Sequence, residues 1–415
     1  MRIIAWKRKG ELGWVALIIA LFAVLTVSVE AVAQDAEPDG KIVVLGEVQG
    51  ASKTAAGLLQ SMGLIDEEGH WSGSDTTLVQ TGDLMDGGVG VRDTLDLFMR
   101  LQDEAPAAGG SVIVLLGNHE VMNILGELQS VNYMAYETFA DAGSEARQRE
   151  GYEAHVAWRV RRAEAIGGEP FVTGDDYEAE WFAVHPVGWM EYVEAMGREG
   201  VYGKWLRTLP VAVRIDDVVF IHAGISPEMK GMDVEEINQR ASDEIASFDE
   251  DRALMVSEGL CLPTSSARGM VAVVKEEIRY VNALPTSKRN RRNKRLVRAA
   301  ELQNLTLWGS WSVMSDKGPL WFRGTTKWTD KKQQAEMAAI LNASKIERMV
   351  TGQSNGKEHV IGARFDDRVV LTSIDMNDDP WGGGGQPAAL EIVNGEYLVV
   401  TLQERIVLLT EDAGS

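Results

Sequence analysis

Residues 114–123, with the sequence VLLGNHEVMN, give the clearest indication of the fold. It begins inside an apolar, β-branched run, residues 111–116, which predicts a buried strand. Gly117 ends that strand, and a polar loop follows at residues 118–120. Because ligands of open α/β sheets bind beyond the carboxyl ends of the strands, this loop is predicted to lie at a binding edge.

The same order of strand, polar loop and helix occurs twice before this stretch. Strands are predicted at residues 41–45 and 77–80, and helical spacing follows at residues 54–62 and 91–101. Strands that alternate with helices in this way predict an α/β fold with parallel strands.

Two helical regions and further strands are predicted after the stretch. Residues 127–202, rich in Ala, Glu and Trp, predict a helical insertion that covers one side of the site, and residues 229–304 predict a variable helical region. Residues 211–221 predict a hairpin with its turn at residues 216–217. Short β-like runs at residues 348–409 predict a second sheet packed on the first.

The composition excludes several classes of protein. The 415 residues include a single cysteine, Cys261, and no Cys/His cluster, which excludes a disulfide scaffold, a zinc finger and an iron–sulfur site. The formal net charge is −21, from 41 Lys and Arg against 62 Asp and Glu. Because nucleic acid is bound mainly through Lys and Arg, no nucleic-acid partner is expected.

The first 33 residues predict an export signal. Four basic residues precede an uncharged stretch at residues 12–29, and Ala31-Val32-Ala33 forms a small-residue cleavage site. The uncharged stretch is also long enough to span a bilayer, so a cleaved signal peptide and a retained membrane anchor both stay open. In either case we expect a periplasmic or secreted protein, with residues 34–40 as a linker and membrane contact only through the anchor.

Polar loops follow five of the apolar runs. They are Gly46-Glu47-Val48-Gln49-Gly50, Gly82-Asp83-Leu84-Met85-Asp86-Gly87-Gly88, Gly117-Asn118-His119-Glu120, His222-Ala223-Gly224 and Gly352-Gln353-Ser354. One such loop is ordinary turn chemistry. Five in succession offer carboxylate, amide and imidazole ligands for one or two divalent cations.

The sequence resembles the calcineurin-like metallophosphoesterase superfamily, and within its phosphoprotein-phosphatase branch the Shewanella-like phosphatases. The resemblance is carried by TTLVQTGDLMD (76–86), VLLGNHEVMN (114–123), GKWLRTLPV (203–211), FIHAGISPE (220–228) and GPLWFRG (318–324). It implies an α/β fold, a metallophosphoesterase-type β-sandwich flanked by helices (α/β/β/α) with the helical insertion. The implied domain occupies residues 41–380, and residues 381–415 supply C-terminal strands of the same domain.

The resemblance also implies a hydrolase with two divalent metal ions, which are Mn, Fe or Zn in the relatives. Asp83 would bridge the two ions, and Asn118 and His222 would bind the second. His119 would be the general acid that protonates the leaving group, and Asp86 would orient it.

Three metal-ligand positions depart from the family's pattern. Glu47 stands where the family has Asp, and Gln49 and Gln353 stand where it has His. A glutamine oxygen is a poor substitute for imidazole toward iron, zinc or manganese. A site lined mainly by oxygen suits Mg²⁺ or Ca²⁺ better, with slow turnover expected because these ions acidify water less.

The phosphate-binding arginine of the family is also absent, because Gly87 occupies its position. Arg323 and Arg207 are the candidates to replace it, since guanidinium binds phosphate in a bidentate manner. The alternative for each is a structural ion pair. Among the histidines, His185 is expected to be a packed or surface imidazole, and His359 is a weaker candidate for the missing ligand.

Two functions therefore stay open. The first is hydrolysis of a phosphomonoester, on a small molecule or a phosphoprotein side chain, by an altered binuclear site. The second is an inactive pseudophosphatase, without metal, that binds a phosphorylated ligand or a partner protein. Retention of His119 and Asp86 favours catalysis. A basic run at residues 288–298 is expected to be a solvated face, with an anionic lipid, a glycan or an acidic partner as the alternative.

Overall fold

A computed structural model describes residues 40–285, 287, 294–353, 360–374, 376 and 387–410. The predicted export signal, most of the linker, His359 and the first part of the basic run lie outside these residues. Within the described part of the chain, no helix has both the length and the apolar character that crossing a bilayer requires.

The described residues form eleven strands and twelve α-helices, joined by short 3₁₀ helices. The strands are β1 (Ile42–Leu45), β2 (Thr77–Gln80), β3 (Ser111–Val114), β4 (Ala212–Ile215), β5 (Val218–Ile221), β6 (Arg348–Thr351), β7 (Val360–Arg364), β8 (Val369–Ser373), β9 (Ala388–Val393), β10 (Glu396–Thr401) and β11 (Arg405–Thr410). The α-helices are α1 (Ser52–Ser61), α2 (Val91–Glu104), α3 (Asn118–Ile124), α4 (Ser144–Ile166), α5 (Tyr177–Val184), α6 (Trp189–Met196), α7 (Val201–Leu206), α8 (Val234–Ser257), α9 (Ala267–Ala283), α10 (Lys294–Glu301), α11 (Gly324–Lys327) and α12 (Lys331–Ala343). The 3₁₀ helices include Ala105–Ala108, Tyr133–Phe139, Pro227–Met229 and Leu302–Ser310.

The first sheet has six strands in the order β11-β10-β9-β1-β2-β3. β1, β2 and β3 are parallel, and Leu78 on β2 lies between Val43 on β1 and Val112 on β3. This arrangement confirms the predicted parallel strands. β9, β10 and β11 are antiparallel to their neighbours and join the sheet where β9 pairs with β1.

The second sheet has five strands in the order β4-β5-β6-β8-β7. β4 and β5 form the predicted hairpin, in which Ile215 pairs with Val218 across the turn. β5, β6 and β8 are parallel. The prediction that residues 348–409 form this second sheet is wrong for β9, β10 and β11. A strand pattern shows which residues alternate and not which edge they pair with, and β1 accepts β9 on its free edge.

The two sheets pack face to face around an apolar core. Val44 and Leu390 of the first sheet and Phe220 and Val350 of the second belong to this core and are fully buried. Val43 belongs instead to the core beneath the helices, because successive side chains on a strand point to opposite faces. The helix, sheet, sheet, helix architecture is therefore confirmed.

Two glycines allow the loops after β2 and β3 to touch. Gly82 has a φ of 89°, and a Cβ there would lie 2.6 Å from the Gly117 nitrogen. A Cβ on Gly117 would lie 2.1 Å from Oδ1 of Asp83. Only glycine fits these two positions without displacing the loops, so the sequence at the strand ends determines how closely they approach.

Helices α4, α5 and α6 lie within residues 127–202, for which a helical insertion is predicted, and hydrogen bonds join them to the rest of the chain. Tyr192 on α6 is fully buried, and its hydroxyl donates to Oδ1 of Asn123 on α3 at 2.6 Å. Trp158 on α4 donates through Nε1 to the carbonyl oxygen of Leu260 at 3.1 Å. One of the insertion's contacts therefore reaches the helix that follows β3.

Candidate active site

Main-chain hydrogen bonds join the loops that follow β1, β2, β5 and β6. The amides of Val48 and Gln49 both donate to the carbonyl oxygen of Asp83, at 3.0 and 2.9 Å. The amide of Gln353 donates to the carbonyl oxygen of His222 at 2.8 Å. These bonds join the loops in pairs within each sheet, and Nδ1 of His222, 2.8 Å from the carbonyl oxygen of Thr81, connects the strand ends of the two sheets at one edge of the sandwich.

Three side chains at this edge form a buried cluster. One donor atom from each of Glu47, Asp83 and His222 lies within 4.8 Å of the others. The exposed fractions are 1% for Glu47, 1% for Asp83 and 0% for His222. Two carboxylates buried this deeply are costly unless a positive charge compensates them. The cluster therefore has the composition and the burial of a cation site.

The ring of His222 is oriented by a main-chain group. Its Nδ1 lies 2.8 Å from the carbonyl oxygen of Thr81, which can only accept, so Nδ1 carries the hydrogen and donates. Nε2 then faces the cluster, 3.4 Å from Oδ2 of Asp83 and 3.0 Å from Oδ1 of Asn118. A hydrogen bond of this kind is what sets the ring orientation of metal-binding histidines.

Gln353 is oriented by two neighbours with fixed roles. The carbonyl oxygen of Leu320 can only accept, and Nη2 of Arg323 can only donate. The amide nitrogen of Gln353 therefore lies 3.0 Å from the Leu320 oxygen, and its amide oxygen lies 3.2 Å from Nη2 of Arg323. The Gln353 amide also lies 3.1 Å from the side chain of Asn118. Arg323, predicted to bind phosphate, is thus brought next to the cluster.

Gln49 reaches the cluster through its nitrogen. Nε2 of Gln49 donates to Oε2 of Glu47 at 3.3 Å. An amide nitrogen is not a metal ligand, so in this arrangement Gln49 supports the Glu47 carboxylate and does not add an oxygen beside it.

His119 and Asp86 form the predicted pair beside the cluster. Nδ1 of His119 lies 2.7 Å from Oδ2 of Asp86. The other ring nitrogen, Nε2, faces the cluster and lies 3.9 Å from Oδ2 of Asp83. The ring side chain keeps 21% of its surface exposed, whereas Asp86 is fully buried. This geometry leaves Nε2 accessible for proton transfer.

Opposing effects set the pKa values in this pocket. Burial lowers the pKa of His119, but Asp83 and Asp86 outweigh it and raise the pKa to about 10. Burial raises the pKa of Asp83, but His222 and His119 outweigh it and lower the pKa to about 2. For His222, burial again lowers the pKa and Asp83 raises it, with a net rise. His119 is therefore protonated, the state in which a histidine acts as a general acid.

Glu120 is a site residue for which the sequence predicted no role. Its fully buried carboxylate accepts the amides of Asp83, Leu84 and Gly117 at 2.8 Å and that of Met85 at 3.2 Å. Burial and the charge of Asp83 raise its pKa to about 7. Glu120 therefore ties the loop after β2 to the loop after β3.

Two more buried residues complete this group, Asn123 and Tyr192. Nδ2 of Asn123 donates to Oδ1 of Asp86 at 3.0 Å, and the hydroxyl of Tyr192 donates to Oδ1 of Asn123. Asn123 lies four residues after His119 on α3, a spacing that places side chains on one helix face, and this was the available signal. Tyr192 carried no signal, because its contact spans 69 residues.

The backbone is strained where the site residues lie. Gln49, Asp83 and Asp86 have φ values of 48°, 59° and 66°, in the left-handed region that side chains with a Cβ rarely adopt. Such residues concentrate at functional sites, where the surrounding contacts hold them in place.

Neither Arg207 nor Gly87, which stands where the family has its phosphate-binding arginine, supplies a guanidinium to the cluster. Arg207 donates through Nε and Nη2 to both carboxylate oxygens of Asp249, at 2.7 and 2.9 Å, and through Nη1 to the Gly203 carbonyl oxygen at 2.8 Å. It forms the structural ion pair that was its alternative, and the structure does not bring it to the cluster. Gly87, in the place of the family's arginine, accepts from Nδ2 of Asn132 at 2.7 Å.

His185 is packed, in agreement with the sequence. Its ring stacks on Trp181 with a centroid distance of 4.1 Å, and its Nδ1 lies 2.7 Å from the Trp181 carbonyl oxygen.

All eight residues that were predicted for the metal and acid–base roles take part in the contacts described above.

The residues present fit a divalent cation. The donor atoms of Glu47, Asp83 and His222 all lie within 4.8 Å of one another, which is close enough for one divalent cation to bind all three. A second ion would depend on Gln49 and Gln353. The nitrogen of Gln49 is turned to Glu47, and the oxygen of Gln353 accepts from Arg323.

Two packed mixed sheets flanked by helices, with a carboxylate and histidine cluster at the strand ends, define the metallophosphoesterase fold class. The chain belongs to the calcineurin-like phosphoesterase family, whose model matches residues 40–258, just over half of the chain. Members of this family use divalent metals, and the cluster provides a possible group of ligands for them.

Three similar proteins place the chain more closely. It is 34% identical over 103 residues to Shewanella-like protein phosphatase 2 of Arabidopsis thaliana, a match covering 25% of this chain and 26% of that protein. It is 26% identical over 200 residues to Shewanella-like protein phosphatase 1 of Plasmodium berghei, a match covering 48% of this chain and 43% of that protein. The crystal structure of the cold-active protein-tyrosine phosphatase of a psychrophilic Shewanella species superposes with a TM-score of 0.52 at 21% identity, covering 89% of this chain and 81% of that one.

These matches confirm the predicted family and fold. The chain spans less than half the length of the two curated relatives. The family and its phosphatase relatives support hydrolase chemistry in general terms.

Proposed function

We propose that this protein is a metal-dependent phosphoesterase that hydrolyses phosphomonoesters. The observation that carries this proposal is the His119–Asp86 pair, 2.7 Å apart, with Nε2 of His119 turned toward the cluster of Glu47, Asp83 and His222. A proton donor beside a cation site is the arrangement that hydrolysis of a phosphate ester requires.

Each group has a role in this proposal. Glu47, Asp83 and His222 hold the cation, with Asn118 and Gln353 beside them. When bound, a divalent cation there supplies Lewis-acid stabilisation of the phosphoryl charge. Arg323 supplies the guanidinium that position 87 lacks and binds a phosphoryl oxygen.

The residues of the chain handle the proton on the leaving group. Water attacks phosphorus, the bond between phosphorus and the ester oxygen breaks, and Nε2 of His119 donates its proton to that oxygen. A proton from the attacking water returns His119 to its protonated state. Asp86 holds the imidazolium through Nδ1 and stabilises its charge. The products are inorganic phosphate and the free alcohol.

The expected cation is Mg²⁺ or Ca²⁺, and not a softer ion. Carboxylate and amide oxygens outnumber the single imidazole of His222 among the ligands, and oxygen ligands favour hard cations. A phosphorylated protein side chain is a candidate substrate because the similar proteins from Arabidopsis and Plasmodium are named protein phosphatases.

A second candidate is an inactive protein that binds a phosphorylated ligand or a partner protein. The observation that favours it is the engagement of both substituted amides, Gln49 with Glu47 and Gln353 with Arg323. In this alternative Arg323 still binds phosphate, but no cation is held.

One set of assays separates the two functions. Bound metal is measured on the purified protein, and phosphate release from an aryl phosphate is followed with Mg²⁺, Mn²⁺ and Ca²⁺. We expect cation-dependent release that both Asp83→Asn and His119→Asn abolish. Absence of metal and of turnover with every ion, followed by gain of activity on combining Glu47→Asp, Gln49→His, Gln353→His and Gly87→Arg, would support the inactive alternative.

We also propose that the protein acts outside the cytoplasm. The support is the basic start, the uncharged stretch at residues 12–29 and the small residues at 31–33. The mass of the protein recovered from its native host tests this: a chain beginning at Gln34 indicates cleavage, and a full-length chain in the membrane fraction indicates an anchor. A full-length chain in the soluble cytoplasmic fraction would contradict export.

A further inference from the structure

A continuous line of hydrogen bonds runs from the helical insertion to His119. The hydroxyl of Tyr192 donates to Oδ1 of Asn123 at 2.6 Å, Nδ2 of Asn123 donates to Oδ1 of Asp86 at 3.0 Å, and Oδ2 of Asp86 lies 2.7 Å from Nδ1 of His119. Tyr192 and Asp86 are fully buried, and Asn123 is 3% exposed. Solvent therefore cannot take the place of Tyr192, Asn123 or Asp86 in this line.

The direction of each hydrogen bond is forced by its neighbours. Nδ2 of Asn123 has two acceptors, the Asp86 carboxylate and the His119 carbonyl oxygen at 2.9 Å, so the nitrogen of the amide must face them. Its oxygen then faces Tyr192, whose hydroxyl donates. The amide of Asn123 can adopt only one orientation here.

Asp86 depends on this contact for its own orientation. Both of its oxygens are engaged, one by Asn123 and one by His119, and its backbone lies in the left-handed region at a φ of 66°. Without Asn123, a fully buried carboxylate oxygen would lose its donor, and the carboxylate would be free to rotate. Rotation of Asp86 would release the ring of His119.

We propose that Asn123 and Tyr192 are positioning residues, which hold Asp86 and thereby aim Nε2 of His119 at the leaving group. The inference rests on the proposed phosphoesterase function for its catalytic consequence. Its geometric content, the fixed orientation of the His119 ring, can be observed without turnover. Because Tyr192 lies on α6, the helical insertion takes part in building the acid–base pair.

The kinetic test uses esters with different leaving groups. Proton donation matters for a poor leaving group, such as phenoxide or an alkoxide, and hardly at all for 2,4-dinitrophenolate, which leaves as a stable anion. We expect Asn123→Leu to lower kcat on phenyl phosphate by about 100-fold, the lower end of what general acid catalysis contributes, and on 2,4-dinitrophenyl phosphate by less than about threefold. Tyr192→Phe should show the same selectivity, with a loss of about tenfold on phenyl phosphate.

A matched control is available in Tyr202→Phe. This variant also removes a tyrosine hydroxyl that makes a 2.7 Å hydrogen bond, but to Asp96 and away from the acid–base pair. It should leave the ratio of the two kcat values unchanged. An equal loss on both esters in Asn123→Leu and Tyr192→Phe, or no loss on either, would overturn the inference while leaving the phosphoesterase function standing.

If the protein is inactive, proton NMR spectroscopy can test the same inference without turnover. The Nδ1 proton of His119, bonded to Asp86, should give a downfield proton NMR signal that His119→Asn removes. We expect Tyr192→Phe and Asn123→Leu to shift or broaden this signal and Tyr202→Phe to leave it in place. An unchanged signal in Tyr192→Phe, which retains the ring and its packing, would overturn the inference whatever the activity.

Discussion

Nδ1 of His222 lies 2.8 Å from the main-chain carbonyl oxygen of Thr81, and this contact turns Nε2 toward two buried carboxylates. Replacing His222 by Asn should therefore remove the one nitrogen ligand of the cluster. We expect the dissociation constant for Mn²⁺ to rise by at least about tenfold, the smaller effect seen when even a supporting residue of a metal site is lost. Titration calorimetry on cation-free protein measures this.

The control for this prediction is His185→Asn, which removes an imidazole stacked on Trp181 and not part of the cluster. Mn²⁺ affinity should stay within twofold of the unmodified protein. Equal affinities in the His222 and His185 variants would show that the cation is held elsewhere.

Replacement of Glu120 by Gln should destabilise the protein. The carboxylate accepts four main-chain amides, and a glutamine oxygen cannot serve all of them while its NH₂ group faces further donors. We expect a loss of about 2–4 kcal/mol in the free energy of unfolding, since buried amides without acceptors cost about 1–3 kcal/mol each. Urea unfolding of cation-free protein gives the value.

Glu235→Gln, at an exposed glutamate on α8, is the comparison for that measurement. Its unfolding free energy should change by less than about 0.5 kcal/mol. A Glu120 variant as stable as this one would mean that the two loops do not depend on the carboxylate.

The two candidate arginines should respond in opposite ways. Arg323→Met should raise KM for an aryl phosphate by tenfold or more, because a guanidinium beside Gln353 is lost from the site. Arg207→Met should leave KM unchanged but lower stability by about 3–5 kcal/mol, because it leaves Asp249 buried without its partner. Steady-state kinetics and thermal unfolding on both variants decide between the roles. A rise in KM confined to the Arg207 variant would reverse the assignment.

Asp251 should make stability depend on pH. Burial, with a contribution from Glu250, raises the pKa of Asp251 from 3.8 to about 6, and its Oδ2 finds no hydrogen-bond partner among the residues that the structure describes. The folded state thus holds the proton more tightly than the unfolded state. The contribution of Asp251 to the free energy of unfolding is fully present below about pH 4 and is lost as the pH rises through 6.

Asp251→Asn should therefore stabilise the protein at pH 7.5, by about 1 kcal/mol once solvent screening of this half-buried group is allowed for, and have no effect near pH 4. Glu250→Gln relieves only the smaller cause and should give a smaller gain. Thermal unfolding at the two pH values measures both. A gain at pH 4 equal to that at pH 7.5 would exclude titration as its origin.

Much of the site could be predicted because each loop follows a short apolar strand and contains a glycine. The order of strand, loop and helix around residues 114–123 was enough for the parallel strands of the first sheet, and the hairpin at residues 211–221 was read from its turn. These features are local. They depend on apolar, β-branched runs and on turn residues that lie close together in the chain.

The features that escaped prediction depend on contacts between distant residues. The pairing of β9 with β1 joins residues near 390 to residues near 43, and the sequence of neither strand indicates which strand it pairs with. Arg207 is committed to Asp249, and Tyr192 to Asn123, through side chains that only the fold brings together. The sequence shows Gly87, Gln49 and Gln353 as departures from the family's pattern, but it does not show which residues they contact.

The decisive measurement for metal-dependent hydrolysis is the rate of phosphate release from phenyl phosphate as Mg²⁺, Mn²⁺ or Ca²⁺ is added to cation-free protein, measured beside Asp83→Asn. We predict a rate that rises and saturates with at least one of these ions, and a variant that stays at the uncatalysed rate. A rate indistinguishable from that of Asp83→Asn at every concentration of every ion would contradict metal-dependent hydrolysis.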